Sequence, residues 1–132
     1  MEIIICLDDN NGMLFNNRRQ SRDSKVLWDI KNSLNGNLTI FPFSEKLVSS
    51  AEIPYEIMSG SASENTVLFV EDRGIKEFLP VTNKITVYRW NRDYPADLTL
   101  DIDLAKEGFR SVSVYEFAGS SHEKITKEVF EK

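Results

Sequence analysis

Two continuous apolar runs predict the interior of a β-sheet. Glu2–Leu7 is rich in β-branched residues and lacks polar alternation, and Thr66–Val70 is a second run of the same kind. Such runs are typical of strands that are buried on both faces, as in the middle of a parallel sheet. We therefore expect both segments to be interior strands.

Two segments carry the signals of helices. The first lies near residues 24–34, where one stripe at helical spacing is apolar: Val26, Leu27, Ile30 and Leu34. Asp23 or Ser24 is suited to cap this helix. The second lies near residues 73–79, with Asp72 as its N-cap and Pro80 at its end.

The segments between these elements extend the α/β pattern. Leu38–Phe43 is a predicted strand, and Pro42 places it near a sheet edge or at a strand end. Ser44 is suited to cap a short helix over Glu45–Ala51. Tyr55–Met58 is a further short strand candidate.

The last part of the chain is expected to be mostly β-structure. Lys84–Trp90 alternates between two different side-chain faces, and a hairpin turn at 119–123 separates Phe109–Phe117 from a last strand at Ile125–Phe130. An antiparallel pair often closes an otherwise parallel sheet. The predicted fold is one three-layer α/β domain over residues 1–132, with a mainly parallel central sheet and an antiparallel C-terminal strand pair.

A long polar segment follows the first strand. It opens with Asp8 and Asp9, and it carries Arg18, Arg19 and Arg22. A loop of this length beside a central strand is usually functional or mobile. The three arginines either form a solvated surface or bind an anion, and the sequence leaves both interpretations open.

Charge narrows the set of partners. The chain has 132 residues and a formal net charge of −5, and both halves are acidic, so no basic region indicates nucleic acid. Nucleic-acid binding is therefore disfavoured. The one such hypothesis that we keep is an RNA-binding module that would use the three arginines. No apolar run approaches the roughly 20 residues that span a bilayer, and no basic segment of a signal peptide precedes the first strand. We expect a cytoplasmic protein without membrane contact.

The chain has one cysteine, Cys6, and one histidine, His122. This excludes a disulfide framework and a zinc site of Cys/His type, which needs about four such ligands. A dizinc ribonuclease, whose metals need several histidines, is excluded for the same reason. We expect no metal site, and we expect His122, at the tip of a hairpin, to be exposed and without a role.

The order of strand, long loop, helix and strand resembles the start of a dihydrofolate reductase, with Asn11-Gly12 in the mobile loop of that family. The later part is also similar, because the family has a buried strand, a short helix ending in Leu-Pro, a second strand and a late aspartate. The matching segments here are Val67–Val70, Phe78–Pro80, Ile85–Trp90 and Asp97. The resemblance covers roughly two thirds of the chain and implies a dihydrofolate reductase-like fold.

The residues at the cofactor-binding positions differ from those of the family. The reductases bind the pyrophosphate of their cofactor where two glycines start a helix, because backbone amides can approach the anion there. Val70 and Glu71 stand at the matching positions, and Asp72 follows. A side chain blocks the approach, and the two carboxylates repel phosphate. The resemblance therefore implies a domain without a nicotinamide cofactor, which is not a functional dihydrofolate reductase.

The substrate end departs as well. Leu27 stands where a gapless comparison puts the catalytic acid, and a shift of two residues is needed to bring Asp29 there. Tyr88 replaces the threonine that partners this acid. In the reductases the late aspartate holds the mobile loop, so Asp97 is expected to accept hydrogen bonds from backbone amides of the Asn10–Asn17 loop or of its own turn.

Three functions follow as hypotheses. The first is a non-catalytic, reductase-like domain, a pseudoenzyme that binds a partner protein or a small molecule. The second is an enzyme of altered chemistry on the same scaffold, with no catalytic residue assigned, and the third is the RNA-binding module.

Ligands of parallel sheets collect beyond the carboxyl ends of the strands. The candidate cleft there comprises Asp8, Asp9, Arg18, Arg19, Arg22, Asp29, Glu71, Asp72 and Tyr88. We expect the arginines to fold back onto the acids and to leave no deep pocket. The competing expectation is an acidic cleft that binds a divalent cation or a basic peptide.

Overall fold

The computed structural model describes all 132 residues. Its strands are β1 (Glu2–Leu7), β2 (Gly12–Phe15), β3 (Arg18–Arg19), β4 (Leu38–Ile40), β5 (Tyr55–Ile57), β6 (Val67–Phe69), β7 (Lys84–Arg89), β8 (Leu98–Thr99), β9 (Arg110–Phe117) and β10 (Ile125–Glu131). Its helices are α1 (Ser24–Ser33), α2 (Glu45–Ser50) and two 3₁₀ helices, Pro42–Ser44 and Lys76–Val81. None of the helices has the length and apolar composition that a membrane span requires.

Seven strands form one sheet in the order β5-β4-β6-β1-β7-β10-β9. The central strand β1 is parallel to β6 on one side and to β7 on the other, while β10 is antiparallel to both β7 and β9. The predicted α/β class, with a mainly parallel sheet and an antiparallel C-terminal pair, is confirmed. The two runs that were expected to be interior strands, β1 and β6, are interior.

The large sheet is covered on both faces, because successive side chains of β1 enter different hydrophobic clusters. Ile3 packs in a cluster with Leu79 of the second 3₁₀ helix and with Leu14 of β2. Ile4, on the other face, packs in a cluster with Leu27 of α1 and Leu47 of α2. The molecule therefore has three layers, and the apolar stripe of α1 is the side that meets the sheet.

The segment after β1 is not a loop. β2 and β3 form a hairpin, and β8 pairs with β2 to complete a second, three-stranded sheet. The hairpin turns at Asn16 and Asn17, whose φ angles are 50° and 58°. A two-residue turn with positive φ at both positions matches the twist of the strands, and asparagine tolerates this conformation.

The segment 38–51 agrees with the sequence in part. Of the two places expected for Pro42, the strand end is confirmed and the sheet edge is wrong, since β4 ends at Ile40 and lies between β5 and β6. Ser44 occupies the N-cap position of α2, but its hydroxyl makes no capping bond and donates instead to the buried carboxylate of Glu71.

The helix expected near 73–79 is also corrected. The segment forms the 3₁₀ helix Lys76–Val81, which begins later and contains Pro80. The proline has no N–H with which to continue an α-helix, whereas a short 3₁₀ helix uses few such groups. Asp72 does not cap this helix, because its carboxylate pairs with the guanidinium of Arg73 at 3.1 Å.

Candidate functional site

The carboxyl ends of the central parallel strands meet at one edge of the large sheet. β1 is followed by Asp8, β6 by Val70 and Glu71, and β7 by Trp90. All four residues are buried. This edge is where ligands of such sheets usually bind, so the partners of the two carboxylates decide what it can do.

Glu71 is bonded to groups of the protein on both oxygens. Arg19 donates to it through Nε and Nη2 at 2.9 and 3.0 Å, and Ser44 donates through Oγ at 2.7 Å. The hydrogen bonds to Glu71 raise the pKa of Arg19 in spite of its partial burial. The guanidinium also lies over the ring of Phe43, 5.2 Å from the centroid. An internal ion pair thus fills this end of the sheet.

Arg18 and Arg22 do not fold back onto the acids, which corrects the expectation for these two residues. Both are exposed, and neither forms a salt bridge. Neighbouring residues of a strand point to opposite faces, so Arg18 points away from the side that Arg19 occupies.

Asp8 is held by uncharged donors. Its Oδ1 accepts the backbone N–H groups of Asn10 and Gly12 at 2.9 and 2.6 Å. Its Oδ2 accepts from Gln20 Nε2 at 3.0 Å and from the N–H of Tyr94 at 3.1 Å. Four donors satisfy the carboxylate without a cation, so Asp8 joins the end of β1 to two other segments.

Asp29 and Tyr88 are brought together. The Tyr88 hydroxyl donates to Asp29 Oδ2 at 2.6 Å, and Lys127 Nζ lies 2.8 Å from the same oxygen. Burial, together with the bond to Asp29, raises the pKa of Tyr88, so the phenol stays protonated.

Asp9 is exposed, and the carboxylate of Asp72 bonds only to Arg73. Neither of these two takes part in the cluster at the sheet edge.

Asp97 contacts the hairpin of the small sheet. Its Oδ2 accepts the backbone N–H of Asn16 at 3.1 Å, and its own N–H donates to the carbonyl oxygen of Leu14 at 3.0 Å. The first of these bonds is the contact with the 10–17 segment that the sequence predicts.

His122 is buried and hydrogen-bonded, so the expectation that it is exposed is wrong. The side chains of His122 and Asp23 are 1% and 0% exposed, and His122 Nδ1 lies 2.9 Å from Asp23 Oδ2. On the other side of the ring, Nε2 lies 3.1 Å from Ser21 Oγ and 3.0 Å from the hydroxyl of Tyr94. The ring also stacks on Trp90, with centroids 4.8 Å apart.

Asp23 anchors this cluster. It caps α1 by accepting from Lys25 N–H, and it also accepts the backbone N–H groups of Ser120 and Ser121 in the β9–β10 turn. Burial alone raises the pKa of Asp23, but the bonds from Ser120, His122, Ser121 and Lys25 outweigh it and lower the pKa below its usual value. The carboxylate is therefore anionic at neutral pH.

The start of the 3₁₀ helix Lys76–Val81 already binds a carboxylate. The N–H groups of Ile75 and Lys76 donate to the two oxygens of Asp101 at 2.9 and 3.1 Å. A Cβ at Gly74 would collide with the same carboxylate, so the close approach requires glycine there. Asp101 takes the place that an external anion would need at these amides.

Beside Glu71 the sheet edge has a small crevice, with a volume of about 10 Å³, roughly the room of one water molecule. Its walls include Cys6, Ser21, Arg22 and Glu71. Burial, reinforced by Glu71, raises the pKa of the Cys6 thiol, which makes this cysteine a poor nucleophile. Nowhere do three His, Cys, Asp or Glu side chains converge so that they could hold a metal ion.

A wider groove lies between α1 and the edge strand β9. Its volume is about 340 Å³, and its walls include Trp28, Tyr115 and Phe117 beside Lys25 and Asp29. Trp28 is 63% exposed and Tyr115 60%. Large aromatic side chains in contact with solvent are common in binding surfaces.

The sequence gives no local signal for the cluster around His122. Its members are separated by 99 residues between His122 and Asp23, and by 101 between His122 and Ser21. No protein-family model matches the chain, and no curated protein is significantly similar to it.

Proposed function

We propose that the protein is a reductase-like domain without reductase catalysis, which works by binding a partner protein or a small molecule. The likeness to the dihydrofolate reductases is part of this proposal. It is supported by the order of elements: a central first strand, a helix after a long segment, a second buried strand, a short helix containing Leu79-Pro80 and a final antiparallel pair.

The observation that carries the proposal is the bonding of Asp101 to the amides of Ile75 and Lys76. A pyrophosphate at this helix start would have to displace a carboxylate that is tethered to the chain and hence present at high effective concentration. The acidic side chains of Glu71 and Asp72 precede these amides and add no affinity for phosphate. Reduction with a nicotinamide cofactor is disfavoured on both grounds.

Calorimetric titration with NADPH, together with an assay of dihydrofolate-dependent NADPH oxidation, tests this proposal. Each charge-assisted amide contact that the cofactor cannot make costs about 1.5–3 kcal/mol. Two or three such losses weaken binding by about 10³-fold or more, so we expect neither binding at micromolar concentration nor turnover. Micromolar affinity for NADPH would refute the proposal.

A thermal-shift screen with pterins, nucleotides and RNA tests the binding role, because a ligand of the folded state raises the melting temperature. Trp28→Ala in the wide groove and Phe15→Ala on the small sheet form a matched pair, since both remove an exposed aromatic ring. A stabilising ligand that loses its effect only in the Trp28 variant binds in the groove. The absence of any stabilising ligand would argue for a protein partner.

An enzyme of altered chemistry is the second candidate, and the cluster of Ser21, His122 and Asp23 favours it. The RNA-binding module has less support. Arg19 is engaged by Glu71, so two of the three arginines are left for phosphate groups.

A further inference from the structure

We propose that Ser21 is a nucleophile that accepts acyl groups from small esters, with His122 as its general base and Asp23 as the residue that orients the base. This activity goes beyond the binding function and does not depend on it. The three side chains come from the segment before α1 and from the β9–β10 turn, which the carboxylate of Asp23 ties together.

The hydrogen bonds define the direction of proton transfer. The anionic Asp23 carboxylate 2.9 Å from His122 Nδ1 assigns the ring proton to Nδ1. Nε2 is then the acceptor, and Ser21 Oγ lies 3.1 Å from it. A serine bonded to a histidine that is held by a buried aspartate is the arrangement that activates serine hydroxyls on unrelated folds.

The ring has little freedom to leave this position. It stacks on Trp90 at 4.8 Å and is nearly fully buried, and the hydroxyl of Tyr94 lies 3.0 Å from Nε2 on the same side as Ser21. Tyr94 also bonds to Ser21 Oγ at 3.4 Å. A base whose position is fixed before the reaction loses little entropy in the transition state.

The surroundings of Ser21 limit the substrate. Ser21 is half-buried and lines the crevice of about 10 Å³ together with Arg22. A crevice with room for about one water molecule holds at most the carbonyl oxygen of an ester and leaves the rest of the acyl group and the alcohol outside it, so the substrate class is an ester with a short acyl group. Arg22 forms no salt bridge, and a free guanidinium is suited to stabilise the negative charge that develops on the ester oxygen.

The reaction has two balanced steps. Ser21 Oγ forms a bond to the acyl carbon while its proton moves to His122 Nε2, and the bond from that carbon to the alcohol oxygen breaks as Nε2 returns the proton to the leaving alcohol. A water oxygen then bonds to the acyl carbon while a water proton moves to Nε2. The bond from that carbon to Ser21 Oγ breaks as Nε2 returns the proton to Oγ, and the carboxylic acid is released.

Two probes test the proposal on the full chain: p-nitrophenyl acetate for turnover and an alkyl fluorophosphonate for labelling, with the adduct located by peptide mass spectrometry. We expect one fluorophosphonate adduct, at Ser21. Ser21→Ala should abolish labelling and ester hydrolysis. Ser24→Ala, which removes an exposed serine that does not contact the histidine, should leave both unchanged.

His122→Gln should slow labelling by about 10²-fold or more, the usual contribution of a general base. If circular dichroism shows that this variant does not fold, wild-type protein unfolded in urea is used as the comparison instead. The unfolded protein keeps all three residues but loses their geometry. No adduct in the folded wild type would overturn the proposal. Labelling spread evenly over several serines, or labelling of Ser21 that persists at the same rate in urea, would also overturn it.

Discussion

Asp8, Asp23 and Asp101 are carboxylates that accept backbone N–H groups and form no salt bridge with lysine or arginine. Each also joins segments that are far apart in the chain, since Asp8 reaches Tyr94 and Asp23 reaches Ser120. Single aspartates therefore fix the positions of whole turns.

We expect Asp23→Asn to lower both the free energy of unfolding and its dependence on pH. The folded-state pKa of Asp23 lies below its unfolded value of about 3.9. The stabilisation is then present above that value and is lost as the pH falls through the folded-state pKa. At neutral pH the variant should lose about 1–3 kcal/mol.

Urea titrations between about pH 7 and pH 2.5 measure this effect. The free energy of unfolding of the wild type should fall more steeply in acid than that of Asp23→Asn. Asp9→Asn is the control, because Asp9 is exposed and its carboxylate has no hydrogen-bond donor. Equal pH dependence of the wild type and Asp23→Asn would contradict the prediction.

At the scale of the element, the 3₁₀ helix Lys76–Val81 depends on a cap from outside its own segment. We expect Asp101→Ala to destabilise the protein by about 0.5–2 kcal/mol, as for other lost caps, and to speed hydrogen exchange of the amides of Ile75 and Lys76. Glu107→Ala, at an exposed position of the same segment, should do neither. Unchanged exchange at both amides would show that the cap does not hold the helix.

The elements that the sequence predicts best are those that a local pattern encodes. β1 and β6 are apolar runs, and α1, Ser24–Ser33, lies within the expected 24–34. The hairpin of β2 and β3 had a local signal too, in Asn16-Asn17 after a short apolar run, but the polar composition of the segment favoured a loop.

Other features depend on contacts that no local pattern contains. The 3₁₀ helix takes its cap from a residue 26 positions after Ile75. His122 is buried because the β9–β10 turn folds against Trp90 and against the start of α1, 99 residues earlier in the chain. Opposite charges at the same sheet edge predicted that an arginine would pair with an acid there. They did not predict that Arg19 and Glu71 would form the pair.

At the scale of the whole molecule, the small sheet is joined to the large one by an apolar contact and an ion pair. Met13 and Leu14 of β2 enter the core beneath the large sheet, and Arg19 of β3 bonds to Glu71 after β6. The position of the two sheets relative to each other is therefore stabilised in part by one ion pair. The side chain of Arg19 is 26% exposed and that of Glu71 is 9% exposed.

We expect Arg19→Met to cost about 2–4 kcal/mol, because it leaves the buried carboxylate of Glu71 without a cation. The double variant Arg19→Met/Glu71→Gln should recover part of this loss, since the two residues are coupled. Arg18→Met, which alters an exposed residue of the same strand, should change the free energy of unfolding by less than about 0.5 kcal/mol. Chemical denaturation of the four proteins measures these values, and equal losses from Arg18→Met and Arg19→Met would refute the assignment.

The central position of β1 has a consequence for synthesis on the ribosome. β1 is translated first among the strands, yet its two neighbours are made of residues 67–69 and 84–89. Until those residues leave the exit tunnel, an apolar strand has no partner on either edge and is a template for other nascent chains. A strand that is paired along both edges in the finished molecule is thus unpaired along both edges during the first part of translation.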